Sequence, residues 1–243
     1  MTKRPQTEKG FTLVELAIVL VIVGLLIAGI LKGQELITNS QITSTISQIE
    51  GLGGAVNTFK QKYGAYPGDM SNADTRLINC AANPCNNGDG DSIIDVQVGA
   101  INAITNESAY FFNHLRAAEL ITSFDGTAFA QFGAAFPGAS IGGGYMVGDT
   151  RAAGAPTGFA AAEMRPGPYL VLTGQIAAVT ANTGILTPSQ GARIDRTIDD
   201  GQTSSGAVIS QNTANACRTG AGDDDYAEDD QDNACVIAYR LPK

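Results

Sequence analysis

From Phe11 to Leu31 the chain runs for 21 residues with Thr12 and Glu15 as its only strongly polar side chains. At 1.5 Å of rise per residue such a helix is about 30 Å long, the thickness of a bilayer's hydrocarbon core. Lys3, Arg4 and Lys9 lie on its N-terminal side. Basic flanks stay in the cytoplasm, so the expected topology is N-terminus inside and the rest of the chain across the membrane. A secretory signal peptide would carry a shorter apolar run closed by a small-residue cleavage site. Here the run closes on Lys32-Gly33-Gln34 instead. A plain signal anchor leaves Glu15 unexplained, because a carboxylate at the centre of a spanning helix costs about 2.5–3.5 kcal/mol. Near the helix end the cost is smaller, yet a partner is still expected.

The remainder is long enough for one sizeable core. With 29 glycines, no tryptophan and 44% hydrophobic residues, it reads as a turn-rich body rather than a disordered one. Net charge is −9. The leader's three bases and Glu8 contribute +2, leaving −11 after Gly10, which argues against a nucleic-acid partner because phosphate contacts need a basic surface. Cys80, Cys85, Cys217 and Cys235 lack the paired spacing of a zinc site, and His114 is the one histidine. In an oxidising compartment they read as two disulfides. Three connectivities are open, of which the local pairs Cys80–Cys85 and Cys217–Cys235 are preferred.

Lys9-Gly10-Phe11-Thr12-Leu13-Val14-Glu15-Leu16 resembles the processing site of type IV prepilins and type II secretion pseudopilins. The resemblance implies cleavage between Gly10 and Phe11 by a membrane prepilin peptidase, N-methylation of Phe11, and a role for Glu15 in assembly. The new ammonium on Phe11 of one subunit would pair with Glu15 of a neighbour and set the axial register of packed helices. Partners implied are the peptidase, identical or related subunits in a helical fibre, an inner-membrane assembly platform, and lipid before assembly. Localisation follows as the bacterial inner membrane, then a periplasmic or extracellular fibre. Members often carry a proline where this chain has Lys32, so any break in the helix falls to Gly24, Gly29 or Gly33. The fold implied is α+β and pilin-like, a long N-terminal helix packed on an antiparallel sheet with long loops. The organisation expected is a leader over 1–10, a long helix over 11–62 with 11–31 in the membrane, and a body over 63–243.

Ile42, Ile46, Ile49, Leu52, Val56, Phe59 and Tyr63 recur at three- and four-residue steps, extending the helix as a one-sided apolar stripe. Gly51, Gly53 and Gly54 weaken it by up to about 1 kcal/mol each, and a kink is expected there. The segment Tyr66-Pro67-Gly68-Asp69 is similar to one in many large pilin-like proteins. Asn106 caps an expected helix from Glu107 to Ile121, with His114 as a packing or surface residue on it. Strands are expected over 168–173 and 234–241, with a weaker one over 145–147. Thr187-Pro188-Ser189-Gln190 is a capping box that opens a short helix ending near Ile198.

Asn87, Asp89, Asp91 and Asp95 stand at relative positions 1, 3, 5 and 9, with Ile94 at the apolar eighth. That spacing suits calcium, which takes six to eight oxygens. Ser92 replaces the turn glycine and Val98 the closing glutamate, so a distant acid would have to complete the shell. An Asn-, Gly- and Asp-rich turn needing no ion is the equal alternative. Asp223, Asp224, Asp225, Glu228, Asp229, Asp230 and Asp232 form a block that repels itself and reads as solvated. The resemblance lends a Cys217–Cys235 bond a structural role around this loop. No catalytic arrangement is recognisable, with neither a nucleophile elbow nor a phosphate loop. The chain reads as a fibre subunit of a pilus or, alternatively, of a secretion pseudopilus; a monomeric membrane-tethered binding module is the third class.

Overall fold

The computed structural model describes residues 10–80, 85–100, 106–213, 216–220 and 222–242. The leader's Lys3, Arg4 and Lys9 fall outside the described residues. The chain divides into two compact units, Met1–Ser40 and Gln41–Lys243. One helix, α1 (Leu13–Tyr63), supplies residues to both. Its last turn carries Lys60 and Lys62, which favour the negative end of the helix dipole. It stops where Gly64 takes a φ of 74° and donates to the Lys60 carbonyl at 2.8 Å, a left-handed cap that glycine adopts without steric cost.

In the first unit, the segment beginning at Leu13 is long and apolar enough to cross a membrane, and none of it is buried. The helix runs unbroken through Lys32, which pairs with Glu35 at 2.6 Å one turn on.

In the second unit, Ile42, Ile49, Leu52, Val56 and Phe59 are buried, and Ile46 and Tyr63 pack partly buried against the same core. Each fully buried side chain of this kind contributes about 1.5–3 kcal/mol. The expected kink is not seen as a break: helix continues through Gly51, Gly53 and Gly54. A Cβ on Gly53 would lie 3.7 Å from the Tyr239 ring, so the small residue lets the helix lie close to the sheet. Tyr145 hydroxyl donates to Gln48 Oε1 at 3.1 Å and to the Thr45 carbonyl at 3.3 Å, fixing strand to helix.

The sheet has four antiparallel strands in the order β1-β2-β4-β3, namely β1 (Gly144–Asp149), β2 (Pro168–Thr173), β3 (Val208–Ser210) and β4 (Ile237–Arg240). The α+β pilin-like fold expected from the sequence is the one found. Alternation along β2 and β4 sends Leu170, Leu172 and Ile237 into the core shared with α1. Tyr169, Val171 and Ala238 enter a second cluster with Val98, Phe159, Met164 and Val179 from the loops. Both faces are thus covered, one by helices and one by irregular chain.

Three expectations need correction. The strand expected over 234–241 is shorter, because Cys235 leaves the ladder to bridge Leu186 before β4 begins. The weak strand over 145–147 is longer, six residues in β1. The helix expected to reach Ile121 is α3 (Glu107–Ala117). It ends in a six-to-one turn: Leu120 N–H donates to the Leu115 carbonyl at 3.0 Å and Glu119 N–H to Arg116 at 2.9 Å. That motif wants glycine in the left-handed position, where Glu119 sits at a φ of 61°. Glu119→Gly is therefore expected to raise stability by about 1 kcal/mol, read as a higher urea midpoint at unchanged slope; a lower midpoint would contradict it.

Two elements were not foreseen, β3 and the single turn α2 (Ala73–Arg76). The helix α4 (Pro188–Ile198) opens with the expected reciprocal cap. Gln190 N–H donates to Thr187 Oγ1 at 3.3 Å, and Thr187 N–H to Gln190 Oε1 at 2.9 Å. Cys80 is bonded to Cys85 and Cys217 to Cys235.

Candidate functional site

At the start of α1 the side chain of Glu15 turns back on Thr12. Thr12 N–H and its hydroxyl both donate to Glu15 Oε2 at 2.8 Å, and Glu15 N–H donates to Thr12 Oγ1 at 3.3 Å. This is a capping box, two donors of the first turn satisfied by reciprocal bonds. The Thr-x-x-Glu spacing of this cap is legible in the sequence. The finding gives Glu15 a role within a single chain: it holds the first turn next to the Gly10–Phe11 junction. Phe11, Leu13, Leu20, Leu25 and Leu36 are all more than half exposed. A helix apolar on all sides needs lipid or other helices around it.

A second constellation is built where the turn after α1, the loop over 86–98 and the first turn of α3 meet. Gly68, at a φ of 88°, lets this turn lie against α3, since a Cβ there would come within 2.5 Å of the Glu107 carbonyl. Gly88 is packed as tightly on Gly68 and Asp69. His114, fully buried, accepts from Gly68 N–H at Nδ1 (2.9 Å) and meets the Asn86 carbonyl at Nε2 (2.8 Å). The ring is therefore the neutral tautomer protonated on Nε2, joining both segments to α3. Burial holds its pKa down at about 4.

Inside this frame the carboxylates of Asp89, Asp91 and Asp95 offer oxygens within 4.8 Å of one another, and so do Asp69, Asp89 and Glu107. Asp89 belongs to both groups. Glu107 accepts from the backbone N–H groups of Asp89 and Asp95, each at 3.0 Å. Asp69 accepts from Ser92 N–H at 3.2 Å. Ser92 takes a φ of 72°, the left-handed turn for which its position calls. Arg151, paired with Asp149 at 2.6 Å, clamps the Ser92 carbonyl at 2.7 Å, and Ile94 is fully buried. Asn87 Oδ1 accepts from Asp74 N–H at 2.9 Å, tying the loop to α2. The spacing that marks Asp89, Asp91 and Asp95 does not reach Asp69 and Glu107. Nothing local marks them, since they come from separate segments.

Burial pushes the Glu107 carboxyl up to about 7, helped by the charges of Asp69 and Asp89. Asp69 is raised chiefly by desolvation, with Asp91 and Asp89 adding to it, and Asp95 is raised the same way by burial and both neighbours. Mutually repelling carboxylates, exposed at Asp89, Asp91 and Asp95 and buried at Asp69 and Glu107, are what a hard cation neutralises.

The disulfide-bounded loop forms a third feature. Its carboxylates are mostly exposed, and Glu228 pairs with Arg196. Beneath it, Tyr226 hydroxyl donates to the buried Asp195 at 2.9 Å, and burial pushes Asp195 up to about 7. Arg218 is wholly buried beside Cys217. It donates to both oxygens of Glu163 at 3.0 and 2.7 Å, to Ser210 Oγ at 3.1 Å, and to the carbonyls of Thr203 and Ser210.

Comparison with known proteins fits the first of these three features. Residues 6–31 match the family described as the prokaryotic N-terminal methylation motif. The chain is 38% identical over 69 residues to the fimbrial protein EcpC of Eikenella corrodens, an overlap of 28% of this chain and 45% of that one. It is 39% identical over 67 residues to a fimbrial protein of Neisseria meningitidis serogroup B, covering 27% and 39% respectively. The chain thus spans less than half the length of these curated relatives. No solved structure matches it. Motif and relatives together support the resemblance of the N-terminal segment to type IV prepilins.

Proposed function

We propose that the chain is a structural subunit of a type IV pilus-like fibre, cleaved between Gly10 and Phe11 by a prepilin peptidase and N-methylated on Phe11. The observation that carries this reading is the coincidence of the methylation motif with a helix whose apolar residues are exposed along the whole first unit. The subunit waits in the inner membrane with its leader in the cytoplasm and its body in the periplasm. Passage into the fibre exchanges lipid contacts for contacts with other helices. The fimbrial relatives and the C-terminal disulfide loop favour a pilus over a secretion pseudopilus.

Assembly then asks Glu15 to exchange its intrachain cap for the ammonium of a neighbouring Phe11. The carboxylate's charge and its capping geometry are separable. Glu15→Gln keeps the capping box but loses the charge, while Glu15→Ala loses both. An unpaired buried charge costs several kcal/mol, so both variants are expected to insert and be cleaved normally, yet to yield roughly a tenth or less of the wild-type fibre. Full fibre yield from Glu15→Gln would show that only the cap matters and would refute register by charge.

For the acidic constellation we propose calcium, held by Asp89, Asp91 and Asp95 with Glu107 and Asp69 as the distant acids. The raised Glu107 carboxyl supports this reading, because metal binding must displace its proton. Calcium at about 100 times its dissociation constant is expected to raise the melting temperature by roughly 5–10 °C at pH 8, and by much less at pH 5. An equal or absent shift at both pH values would exclude the site.

A further inference from the structure

We propose that the C-terminal end of α1 is a docking surface for the acidic loop of a second copy of this chain, an inference that rests on the fibre-subunit reading. Lys60, Lys62 and Arg76 gather around Tyr63 and Tyr66: Lys60 Nζ lies 4.1 Å from the Tyr66 ring centroid, and Lys62 and Arg76 lie 5.1 and 5.4 Å from that of Tyr63. None of the three forms an ion pair with a carboxylate among the described residues. Lys62 and Arg76 are exposed, Lys60 partly so. A cluster of unneutralised cations is unusual on a body carrying −11. Rings beneath them hold the two ammonium groups and the guanidinium in place by cation–π attraction of about 0.5–1 kcal/mol at exposed sites.

The complementary surface lies on the same chain. Six of the seven carboxylates between Asp223 and Asp232 have no ion pair among the described residues, the exception being Glu228 with Arg196. A disulfide closes the segment at Cys217 and Cys235, and Tyr226 anchors it to Asp195. Its shape is therefore set before any partner arrives, which lowers the ordering cost of binding. Two copies of so acidic a body repel each other, and pairing this loop with the cationic cluster is the arrangement that turns repulsion into attraction. Because patch and loop are different surfaces, the contact is head-to-tail. Such a contact closes into a ring where its rotation allows and otherwise propagates as a helical filament. A nucleic acid would meet the same three cations, but the surrounding −11 body would oppose a long polyanion.

The test uses full-length chain assembled in cells. Lys60→Glu with Lys62→Glu is expected to cut fibre yield roughly tenfold while leaving membrane insertion intact and lowering the melting temperature of the body by only the few degrees that the reversed charges at the helix end cost. Arg76 is left in place because it also donates to the Tyr63 carbonyl. Adding Asp225→Lys, Asp229→Lys and Asp232→Lys to the double variant should restore fibres, since the charges are exchanged rather than removed. Separately, Lys62→Cys combined with Asp229→Cys should form an intersubunit disulfide ladder in oxidised fibres, absent from either single variant. Normal assembly of the double variant, loss without rescue by the exchange, or no ladder from the cysteine pair would each overturn the proposal. Normal assembly with lost nucleic-acid retention would assign the patch to a polyanion instead. If the wild-type chain forms no fibres at all, it is the subunit reading that fails.

Discussion

Arg218→Ala is expected to destabilise the body by about 3–5 kcal/mol. The guanidinium is fully buried and each of its three nitrogens donates a hydrogen bond. Truncation strands the Glu163 carboxylate, which has only 17% of its side chain exposed, and takes a donor from the Ser210 hydroxyl and carbonyl and from the Thr203 carbonyl, which keeps the Ser210 N–H at 2.9 Å. The damage spreads because those acceptors belong to three separate segments: the loop at Glu163, the turn at Thr203 and the strand β3 at Ser210. Arg218→Lys should recover little, since an ammonium cannot make the two parallel bonds to Glu163. Changing both partners to methionine should cost less than Arg218→Ala alone, because no charge is left buried without its mate. Urea unfolding monitored by circular dichroism reads all three; a loss below about 1 kcal/mol for Arg218→Ala would mean that the site is far wetter than its burial implies.

The calcium-free protein is expected to be more stable at pH 5 than at pH 8, by about 3 kcal/mol. Asp195 and Glu107 each hold a proton up to about 7 in the folded state, against ordinary values of 3.8 and 4.5. The fold therefore binds protons that the unfolded chain has released, and stability from both groups is lost as pH rises towards 7. His114 acts in the opposite sense. Its folded pKa of about 4 lies below the ordinary 6.5, so acid favours the unfolded chain across that interval and removes part of the gain. All three side chains are nearly or wholly buried, at 0%, 6% and 0% exposure for Asp195, Glu107 and His114, so solvent screening reduces these effects little. Thermal melts across pH should show the two carboxyls outweighing the single imidazole. In Asp195→Asn the difference should shrink to about 1 kcal/mol or less. Saturating calcium should shrink it too, by stabilising ionised Glu107. A wild-type maximum at pH 8 without calcium would contradict both carboxyl assignments.

What the sequence made legible is what local chemistry determines. Phe11 to Leu31 could only be a spanning or bundled helix; Thr187 and Gln190 declare their cap; the apolar stripe from Ile42 to Tyr63 needs nothing beyond its period. The strand β3 has three residues, too few for alternation to register. The left-handed Glu119 hid the end of α3, because a glutamate gives no turn signal and the constraint comes from Leu115 and Leu120 packing around it. Arg218 looks like any loop arginine until the chain has folded around it. The acidic constellation was half legible, its Asp89, Asp91 and Asp95 marked by spacing and its Asp69 and Glu107 brought in only by the tertiary contact at Gly68. Glu15 is the opposite case, since Thr12 three residues before it spells the cap and the motif around Gly10 spells the assembly role, both locally.

Mass spectrometry of the N-terminal peptide from the purified fibre fraction tests the central reading most directly. The expected peptide begins at Phe11 and carries one methyl group on its amine. An intact Met1, or a chain beginning after Gly33, would contradict cleavage at Gly10 and with it the assembly role given to Phe11 and Glu15.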